Sequence, residues 1–297
     1  MTGKLEGMLN ERRPILLDGG MGTSLYQAGI EPGVAPDEWN LTHPEVIRGI
    51  HRAYIEAGSQ VILTNTFGGS RFRLEFNDLG DRVADVNRIG AQLARAEADA
   101  AGHEVLVAGS MGPTGELMEP YGALTRAGAR EAFAEQAAAL VEGGVDLLWI
   151  ETMSDLDEVE AAVEAARDVC DLEVATTLSF ETKVHTMMGV SPTQAIERLR
   201  NLGLVAIGAN CGTGSPDAEK AIEAMRAVDS DVALIAKPNA GLPQHSNGEI
   251  VYSEGAPEMA EHARTLSDLG ASLIGGCCGS TPDHLRAMAV TLGIVSR

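Results

Sequence analysis

Three of the four cysteines in this 297-residue chain stand at the ends of short apolar runs, where a thiol could do chemistry. Cys211 ends the segment GANC, and the adjacent Cys277 and Cys278 lie in IGGCCG. If these segment ends meet, three thiolates and one exchangeable position would form a tetrahedral site of the kind that holds catalytic zinc. The alternative is that all three are core thiols, because free cysteine is among the most buried residue types. Spacing alone leaves both interpretations open.

Two further residues of metal-binding type are not expected to belong to that site. Cys170 follows a helical pattern in ARDVCDLEV, away from the end of any apolar run, which predicts a structural role. His284 falls on the helix predicted after Cys278 and is more typical of a packing or surface histidine.

Eight short apolar runs alternate with amphipathic stretches along the chain. Runs of this length suit strands that are buried on both faces, as in a parallel sheet. A glycine precedes every second run, and glycine commonly ends helices because it adopts the left-handed conformation without steric cost. The runs occupy residues 15–20, 61–67, 104–110, 147–152, 174–180, 206–211, 233–240 and 273–279, and the glycines are Gly58, Gly144, Gly203 and Gly270.

This alternation predicts an α/β fold, a single-domain (β/α)8 TIM barrel over residues 1–297, with a doubly wound open sheet as the alternative. Polar residues at the carboxyl ends of the runs favour the barrel. A barrel gathers all of its strand ends around one mouth, whereas an open sheet spreads them along a line. The residues concerned are Asp18, Asn65, Ser110, Glu151, Ser179, Cys211, Asn239, Cys277 and Cys278.

The composition is that of a globular protein, with 44% hydrophobic and 22% charged residues. The net charge of −21 argues against binding to nucleic acids or anionic membranes, because it repels phosphate groups. No apolar run reaches the length of a membrane span, and the amino terminus lacks the apolar core of a signal peptide. We therefore expect a cytoplasmic protein, in which oligomer formation stays possible.

Seven segments of the chain occur in the order seen in the zinc-dependent homocysteine S-methyltransferases, and the chain resembles that family over about residues 12–292. The family includes betaine–homocysteine methyltransferase, S-methylmethionine–homocysteine methyltransferase and the homocysteine module of cobalamin-dependent methionine synthase. PNAG, GPTGE and TMMGVSP are most similar to the methionine synthase module and to bacterial single-domain proteins called betaine–homocysteine methyltransferases. The seven segments are DGGMGTSL, TNTFGG, GPTGE, GVDLLWIET, GANCG, KPNAGLP and GGCCGSTPDHLRAM.

The resemblance implies a zinc enzyme that moves a methyl group to the thiolate of L-homocysteine and forms methionine. Cys211, Cys277 and Cys278 are the expected zinc ligands, and these three with Glu151 are the expected catalytic residues. A thiol is mostly protonated at neutral pH, whereas a thiol that coordinates zinc is deprotonated. The reaction class therefore follows from the metal.

Homocysteine also carries an ammonium group and a carboxylate that the protein must hold. Glu151 directly follows an apolar run, where a carboxylate is costly unless it is paired, so it is expected to bind the ammonium or to form an internal salt bridge. Gly19 and Gly20 offer closely approachable backbone N–H groups for the carboxylate. Asp18 faces the ammonium or braces this loop, and Ser179 is a further candidate for a hydrogen bond to the amino acid.

Three asparagines complete the predicted substrate-binding set. Asn239 lies between the cysteine positions and is expected to occupy the open zinc position, to contact the substrate or to pack in its loop. Asn210, next to Cys211, is expected to orient the thiolate. Asn65 lines the pocket or makes a structural hydrogen bond.

The methyl donor is left open between a small onium compound, such as betaine or S-methylmethionine, and a methylated corrinoid on a separate protein. Quaternary ammonium groups are often bound in aromatic cages, and few aromatic residues stand near the strand ends. The resemblance also leaves room for a non-catalytic zinc- or thiol-binding subunit that acts with a partner protein. A TIM-barrel aldolase would need a strand-end lysine, and Lys237 alone fits that position. The aromatic residues are Phe67, Tyr121, Trp149 and Phe180.

Overall fold

Eight parallel strands form a nearly closed barrel in the computed structural model, which describes residues 3–11, 14–246 and 249–296. The barrel strands are β1 (Ile15–Leu16), β2 (Val61–Leu63), β3 (Leu106–Met111), β4 (Leu147–Met153), β5 (Glu173–Leu178), β6 (Ala206–Cys211), β7 (Leu234–Pro238) and β10 (Ala271–Ile274). Each of the eight predicted apolar runs overlaps one of these strands, so the strand assignment from the sequence is confirmed.

The strand order closes the sheet on itself. Neighbouring strands follow the order β1, β10, β7, β6, β5, β4, β3 and β2. At the remaining seam, Leu17 forms a parallel bridge with Val61, and the Gln60 N–H donates to the Leu16 carbonyl over 2.8 Å. The barrel is therefore confirmed, and the doubly wound open sheet is excluded.

Helices surround the barrel, and the predicted helix ends are present. The four glycines that precede strands have φ angles of +113° (Gly58), +90° (Gly144), +68° (Gly203) and +96° (Gly270), as expected for left-handed helix ends. The helices are α1 (Lys4–Asn10), α2 (Met21–Gln27), α3 (Trp39–Thr42), α4 (Pro44–Ala57), α5 (Arg71–Glu75), α6 (Val83–Asp99), α7 (Arg126–Glu142), α8 (Leu156–Val169), α9 (Pro192–Leu199), α10 (Ser215–Val228), α11 (Ala256–Asp268) and α12 (Pro282–Thr291).

Two apolar layers hold the fold together. The larger lies between the strands and the helices, and many of its members are alanines that let helix and strand approach closely. The smaller fills the lower part of the barrel itself and includes Leu17, Ala108, Trp149, Ala175 and Ile235. Aromatic side chains contribute little to either layer, in keeping with the aromatic content of 4%.

Helix α1 closes the amino-terminal end of the barrel. Leu5 is fully buried and packs with the interior residues of the barrel. The carboxylate of Glu173, at the start of β5, accepts hydrogen bonds from the backbone N–H groups of Leu5 and Glu6, both over 2.8 Å. An anion at a helix amino terminus is favourable, so Glu173 fixes the helix over the barrel.

We expect Leu5→Ala to lower the free energy of unfolding by about 3 kcal/mol, because a large buried side chain is lost from a packed interior. Urea denaturation measures this loss. Leu117→Ala is the matched control: its side chain is 54% exposed, and its removal should cost less than about 0.5 kcal/mol. Equal losses in the two variants would show that α1 does not seal the barrel.

A two-stranded antiparallel hairpin between β7 and α11 was not predicted. It pairs β8 (Pro243–Ser246) with β9 (Glu249–Tyr252), outside the barrel sheet. The surrounding sequence is rich in Gly, Pro and Ser, which is typical of a loop, and only the segment EIVY suggests a strand. The hairpin extends the loop that follows β7, on the carboxyl side of the barrel.

The predicted single domain spans residues 1–297, of which 1–2, 12–13, 247–248 and 297 lie outside the described residues. Within the described part of the chain, none of the helices combines the length and the apolar character that a membrane crossing requires.

Candidate metal and active site

The three predicted cysteines converge at the carboxyl end of the barrel. Cys211 is the last residue of β6, and Cys277 and Cys278 follow β10. Strand β7 lies between these two strands in the sheet, and the Cys277 N–H donates to the carbonyl of Pro238 at its end, over 2.8 Å. The three sulfurs all lie within 4.8 Å of one another, and those of Cys211 and Cys277 are 2.7 Å apart.

The backbone around the cysteines is bent to bring the sulfurs together. Cys211 has φ +54°, a left-handed conformation that is uncommon for residues other than glycine and that often marks a functional site. Gly20 lies so close to the Cys277 carbonyl that a Cβ atom would stand 2.6 Å from its oxygen. The predicted loop glycine is therefore needed for close approach to the cysteine loop.

Two of the predicted asparagines brace the cysteines. Asn239 accepts a hydrogen bond from the Cys278 N–H over 3.0 Å and donates to the Gly212 carbonyl over 2.9 Å, so its side chain links the two cysteine loops. The Asn210 side-chain amide nitrogen lies 3.5 Å from the Cys211 sulfur and 3.9 Å from the Cys277 sulfur. Asn210 is thus placed to orient the thiols.

A polar layer lies on top of the apolar interior of the barrel. Alternate residues of a strand share a face. Ala108 on β3, Trp149 on β4, Ala175 on β5 and Ile235 on β7 lie in the apolar interior, so the residue two positions after each of them also points inward. These are Ser110, Glu151, Thr177 and Lys237, all of them buried. Ionisable groups in this position are costly unless they are paired, which makes their partners informative.

Lys237 pairs with Asp18 across the barrel. The ammonium nitrogen lies 2.6 Å from Oδ1 of Asp18, and both side chains are almost fully buried, with exposures of 4% and 3%. The other carboxylate oxygen of Asp18 accepts the Leu63 N–H over 2.7 Å. Burial alone would lower the pKa of Lys237, but the charges of Asp18 and Glu151 raise it. Asp18 therefore braces the barrel end, one of its two predicted roles, and Lys237 stays charged.

We expect Lys237→Met to lower the free energy of unfolding by about 3–5 kcal/mol, because it leaves the Asp18 carboxylate buried without a counter-charge. Adding Asp18→Asn should recover much of that loss, since no isolated charge is then buried. Lys220→Met is the control, because Lys220 is 62% exposed in its ion pair with Asp217 and such pairs contribute little. Equal losses at the two lysines, measured in urea, would show that the buried pair is unimportant.

Glu151 lies in the same layer, beside Ser110. The Ser110 hydroxyl donates to Oε1 of Glu151 over 2.5 Å. Burial raises the pKa of Glu151 to about 7, although Lys237 and the Ser110 hydrogen bond oppose the change. A buried carboxyl group of this kind is a good binding partner for a cation, because a nearby positive charge stabilises the carboxylate that burial destabilises.

The other predicted substrate-binding residues, Asn65, Gly19 and Ser179, contact neighbouring residues of the chain. Asn65 donates to the Pro36 carbonyl and to the Asn40 side chain, over 2.8 and 3.1 Å, so it makes the structural hydrogen bonds that were its alternative role. Gly19 packs against Tyr54, whose ring would stand 2.6 Å from a Cβ atom. Ser179 is buried, and its backbone N–H donates to the Met153 carbonyl over 3.0 Å.

Cys170 and His284 do not join the cysteine cluster, as predicted. Cys170 ends α8, and its thiol donates to the Ala166 carbonyl over 3.6 Å. Nδ1 of His284 lies 2.8 Å from the Thr281 hydroxyl at the start of α12. Among the described residues, Cys211, Cys277 and Cys278 form the one group able to supply three metal ligands from His, Cys, Asp or Glu.

Three residues at the site were not predicted to belong to it: Thr152, Lys237 and Tyr252. Thr152 follows Glu151 with φ +61°, which no sequence pattern signals. The position of Lys237 at a strand end suggests only a Schiff-base role, and its partner Asp18 is far away in sequence. Tyr252 lies in the hairpin that reads as a loop, although its segment EIVY is rich in strand-forming residues.

Hydrogen bonding among the three thiols distributes their charge unequally. It raises the pKa of Cys211 and lowers the pKa of Cys278. Sulfur ligands of this number and proximity suit a soft or borderline cation, and Zn–S distances are about 2.3 Å. The donor set therefore fits zinc better than magnesium or calcium, which prefer oxygen.

Comparison with known proteins identifies the family of the chain. Residues 15–292 match the family described as homocysteine S-methyltransferase. The chain is 33% identical to methionine synthase of Mycobacterium leprae over 298 residues, covering 95% of this chain and 24% of that protein. It is 33% identical to methionine synthase of Mycobacterium tuberculosis over 303 residues, covering 96% of this chain and 25% of that protein. The chain thus spans about a quarter of the length of these relatives.

Among solved structures, the homocysteine methyltransferase MmuM from Escherichia coli is similar to this chain in its metallated form. The TM-score is 0.81 at 24% identity, covering 96% of this chain and 98% of that one. This likeness concerns the fold, whereas the match over residues 15–292 concerns the family. The chain therefore belongs to the homocysteine S-methyltransferase family.

Proposed function

We propose that this protein is a zinc enzyme that transfers a methyl group to the sulfur of L-homocysteine and forms methionine. The observation that carries the proposal is the convergence of Cys211, Cys277 and Cys278 beside a buried polar layer. When bound, zinc would keep the substrate thiol deprotonated near neutral pH and leave its sulfur able to attack a methyl group. The cytoplasm is the expected compartment, since it keeps thiols reduced.

The residues of the polar layer would hold the amino-acid part of the substrate. Glu151 is the proposed partner of the ammonium group, because it is buried and, among the described residues, its hydrogen-bond partner is the Ser110 hydroxyl rather than a cationic side chain. Lys237 is already paired with Asp18. It would therefore balance the charge of Asp18 rather than bind the carboxylate of the substrate. Gly19, Gly20, Ser179, Asn210 and Asn239 stay the predicted lining of the pocket, whereas Asn65 is held in its structural hydrogen bonds to Pro36 and Asn40.

The transfer forms one sulfur–carbon bond and breaks one bond between the methyl group and its donor. The electron pair of the broken bond leaves with the donor, and the proton of the substrate thiol is released. The protein excludes water and aligns the sulfur with the methyl carbon. Alignment of this kind lowers the activation free energy by several kcal/mol. Glu151 does this by fixing the amino-acid end.

The structure supports a methylated corrinoid on a partner protein over a small quaternary donor. Trp149 and Phe180, two of the four candidates for an aromatic cage, are buried, and Trp149 packs in the barrel interior. Among the side chains that the structure describes, the large hydrophobic ones that are exposed lie in segments between a barrel strand and its outer helix, on the side of the mouth. These are Tyr26, Phe67, Phe76, Leu117, Tyr121, Met187, Leu242 and Val251. Exposed aromatic and apolar side chains on the same side of the barrel as the cysteines support a donor that is carried by another protein, because interfaces are enriched in such side chains.

The test is methionine formation from homocysteine by the zinc-loaded protein, with betaine, S-methylmethionine and free methylcobalamin assayed in parallel. We expect turnover with methylcobalamin, little with the other two, and none in a Cys278→Ala variant. Rapid turnover with betaine or S-methylmethionine would instead establish a small-donor enzyme. A zinc-loaded protein that does not bind homocysteine would overturn the proposal as a whole.

A further inference from the structure

One buried tyrosine contacts two loops of the barrel mouth at once. The hydroxyl of Tyr54, on α4, donates to the Ser280 carbonyl over 3.0 Å and to the Gly20 carbonyl over 3.2 Å. Ser280 belongs to the cysteine loop, residues 275–281, and Gly20 belongs to the loop between β1 and α2, residues 17–20, which we term the glycine loop. A phenol has one proton and both carbonyls can only accept, so a single hydroxyl group bridges the two loops.

The position of the Tyr54 hydroxyl is set by the packing around it. The side chain is 1% exposed and lies in the apolar layer between the strands and the helices. Its ring lies against Gly19, where a Cβ atom would stand 2.6 Å from Cε1 of the tyrosine. The hydroxyl is also 3.0 Å from that of Ser24. Hydrogen bonds in such surroundings are strengthened by the low local dielectric constant, so the bridge is well defined.

A second side chain links the same two loops. The Thr23 hydroxyl donates to the Gly20 carbonyl over 3.2 Å and accepts the Gly279 N–H over 3.2 Å. The backbones also meet directly, because the Gly276 N–H donates to the Asp18 carbonyl over 3.0 Å. Two hydroxyl groups from different helices therefore hold the glycine loop against the cysteine loop, in addition to the backbone contact.

Homocysteine would have to reach both loops at once. Under the proposed function, on which this inference rests, its sulfur binds at the cysteine loop and its carboxylate at the glycine loop, and a short carbon chain joins the two groups. A ligand that spans two loops binds tightly when the loops are already held at the matching distance, because binding then does not have to order them. We propose that Tyr54 and Thr23 are positioning residues that set the distance between the two loops and thereby make the site selective for thiols that also carry a carboxylate.

Calorimetric titration of the zinc-loaded protein with two thiols tests the proposal. L-Homocysteine would engage both loops, whereas 3-aminopropanethiol has the same sulfur, carbon chain and ammonium group but lacks the carboxylate. Tyr54→Phe keeps the ring and removes the hydroxyl, and we expect it to raise the Kd for homocysteine about three- to tenfold, the effect of one lost hydrogen bond. The Kd for 3-aminopropanethiol should change by less than about twofold, since that ligand does not need the glycine loop. A purely structural role would weaken the binding of both thiols alike.

A second variant and a control accompany this substitution. Thr23→Val removes the other hydroxyl and leaves Tyr54 in place, so it should cause the same selective loss, and it decides the test if Tyr54→Phe does not fold. Thr265→Val is the matched control, because its hydroxyl donates to the Glu261 carbonyl within α11 over 3.3 Å, and it should change neither Kd. Zinc content and unfolding in urea are measured for every variant before the titrations.

The failure of this inference is distinguishable from the failure of the proposed function. Variants that retain zinc and weaken both thiols equally, or neither, would overturn the positioning role, while binding of homocysteine by the wild type would still support the proposed function. A wild-type protein that binds the two thiols with equal affinity would also overturn the inference, because the carboxylate would then make no contact. A zinc-loaded wild-type protein that binds neither thiol would overturn the proposed function and the inference together.

Discussion

Replacing Cys278 with alanine is expected to remove zinc from the protein and to abolish methionine formation. Groups that merely support a metal ligand change metal affinity by about 10–100-fold when they are mutated, so the loss of a ligand itself should exceed about 100-fold. The measurement is zinc affinity by competition with a chromophoric chelator, together with the zinc content of the purified protein.

The chain provides a matched control for this substitution. Cys170→Ala also removes one thiol, but from the end of α8, where the sulfur contacts the Ala166 carbonyl. It should leave zinc affinity and activity unchanged. A Cys278→Ala protein that binds zinc as tightly as Cys170→Ala would show that the metal does not depend on the cysteine cluster.

Replacing Glu151 with glutamine is expected to make the protein more stable and a much poorer enzyme. The pKa of Glu151 is raised from 4.5 to about 7 by burial. Between these two pH values the unfolded chain loses the proton while the folded protein keeps it, so the carboxyl group destabilises the fold increasingly as pH rises. Above pH 7 the full effect, about 3 kcal/mol, is present.

Glutamine resembles the protonated carboxyl group and avoids this penalty. The variant should therefore unfold at higher urea concentration than wild type above pH 7, and the difference should vanish below about pH 4.5. Its KM for homocysteine should rise by about 100-fold, the loss expected when a buried charge partner is removed. In wild type the affinity for homocysteine should weaken as pH falls through about 7, and this dependence should be absent in Glu151→Gln.

Two results would contradict the role assigned to Glu151. One is a Glu151→Gln protein with wild-type affinity for homocysteine. The other is a variant that is less stable than wild type at pH 8, which would mean that the carboxylate already has a partner inside the protein. The control is Glu131→Gln, since the Glu131 side chain is 73% exposed. It should change neither the affinity for homocysteine nor the stability at pH 8. Asp146→Asn is unsuitable, because that carboxylate is paired with Lys4 and Arg95.

The barrel could be predicted because its strands are buried on both faces. Such strands give continuous apolar runs, and polar residues such as Glu151 and Cys211 stand out where each run ends. Since all strand ends of a barrel meet at one mouth, the positions of the three cysteines made their convergence possible, and the family resemblance decided between a metal site and buried core thiols. The position of Asn210 near the thiols could be expected because it is adjacent to Cys211 in sequence.

Contacts that depend on the exact approach of two elements could not be predicted. Asp18 and Lys237 each end an apolar run, but nothing in either run indicates that their side chains meet across the barrel. The Tyr252 ring lies against Gly279, the residue after Cys278, only because the hairpin folds back over the cysteine loop and glycine leaves room for the ring. The sequence suits Asn65 equally to the pocket and to a structural role. Its partners, Pro36 and Asn40, lie in a segment after α2 whose sequence has no helical or strand periodicity.

The most direct test of the account is zinc X-ray absorption spectroscopy of the zinc-loaded protein, before and after addition of homocysteine. Before addition, we expect three sulfur neighbours at about 2.3 Å and one lighter atom. After addition, the lighter atom should be replaced by a fourth sulfur at a similar distance. Fewer than three sulfurs in the first spectrum, or no gain of sulfur in the second, would contradict the claim that the three cysteines hold zinc for a substrate thiolate.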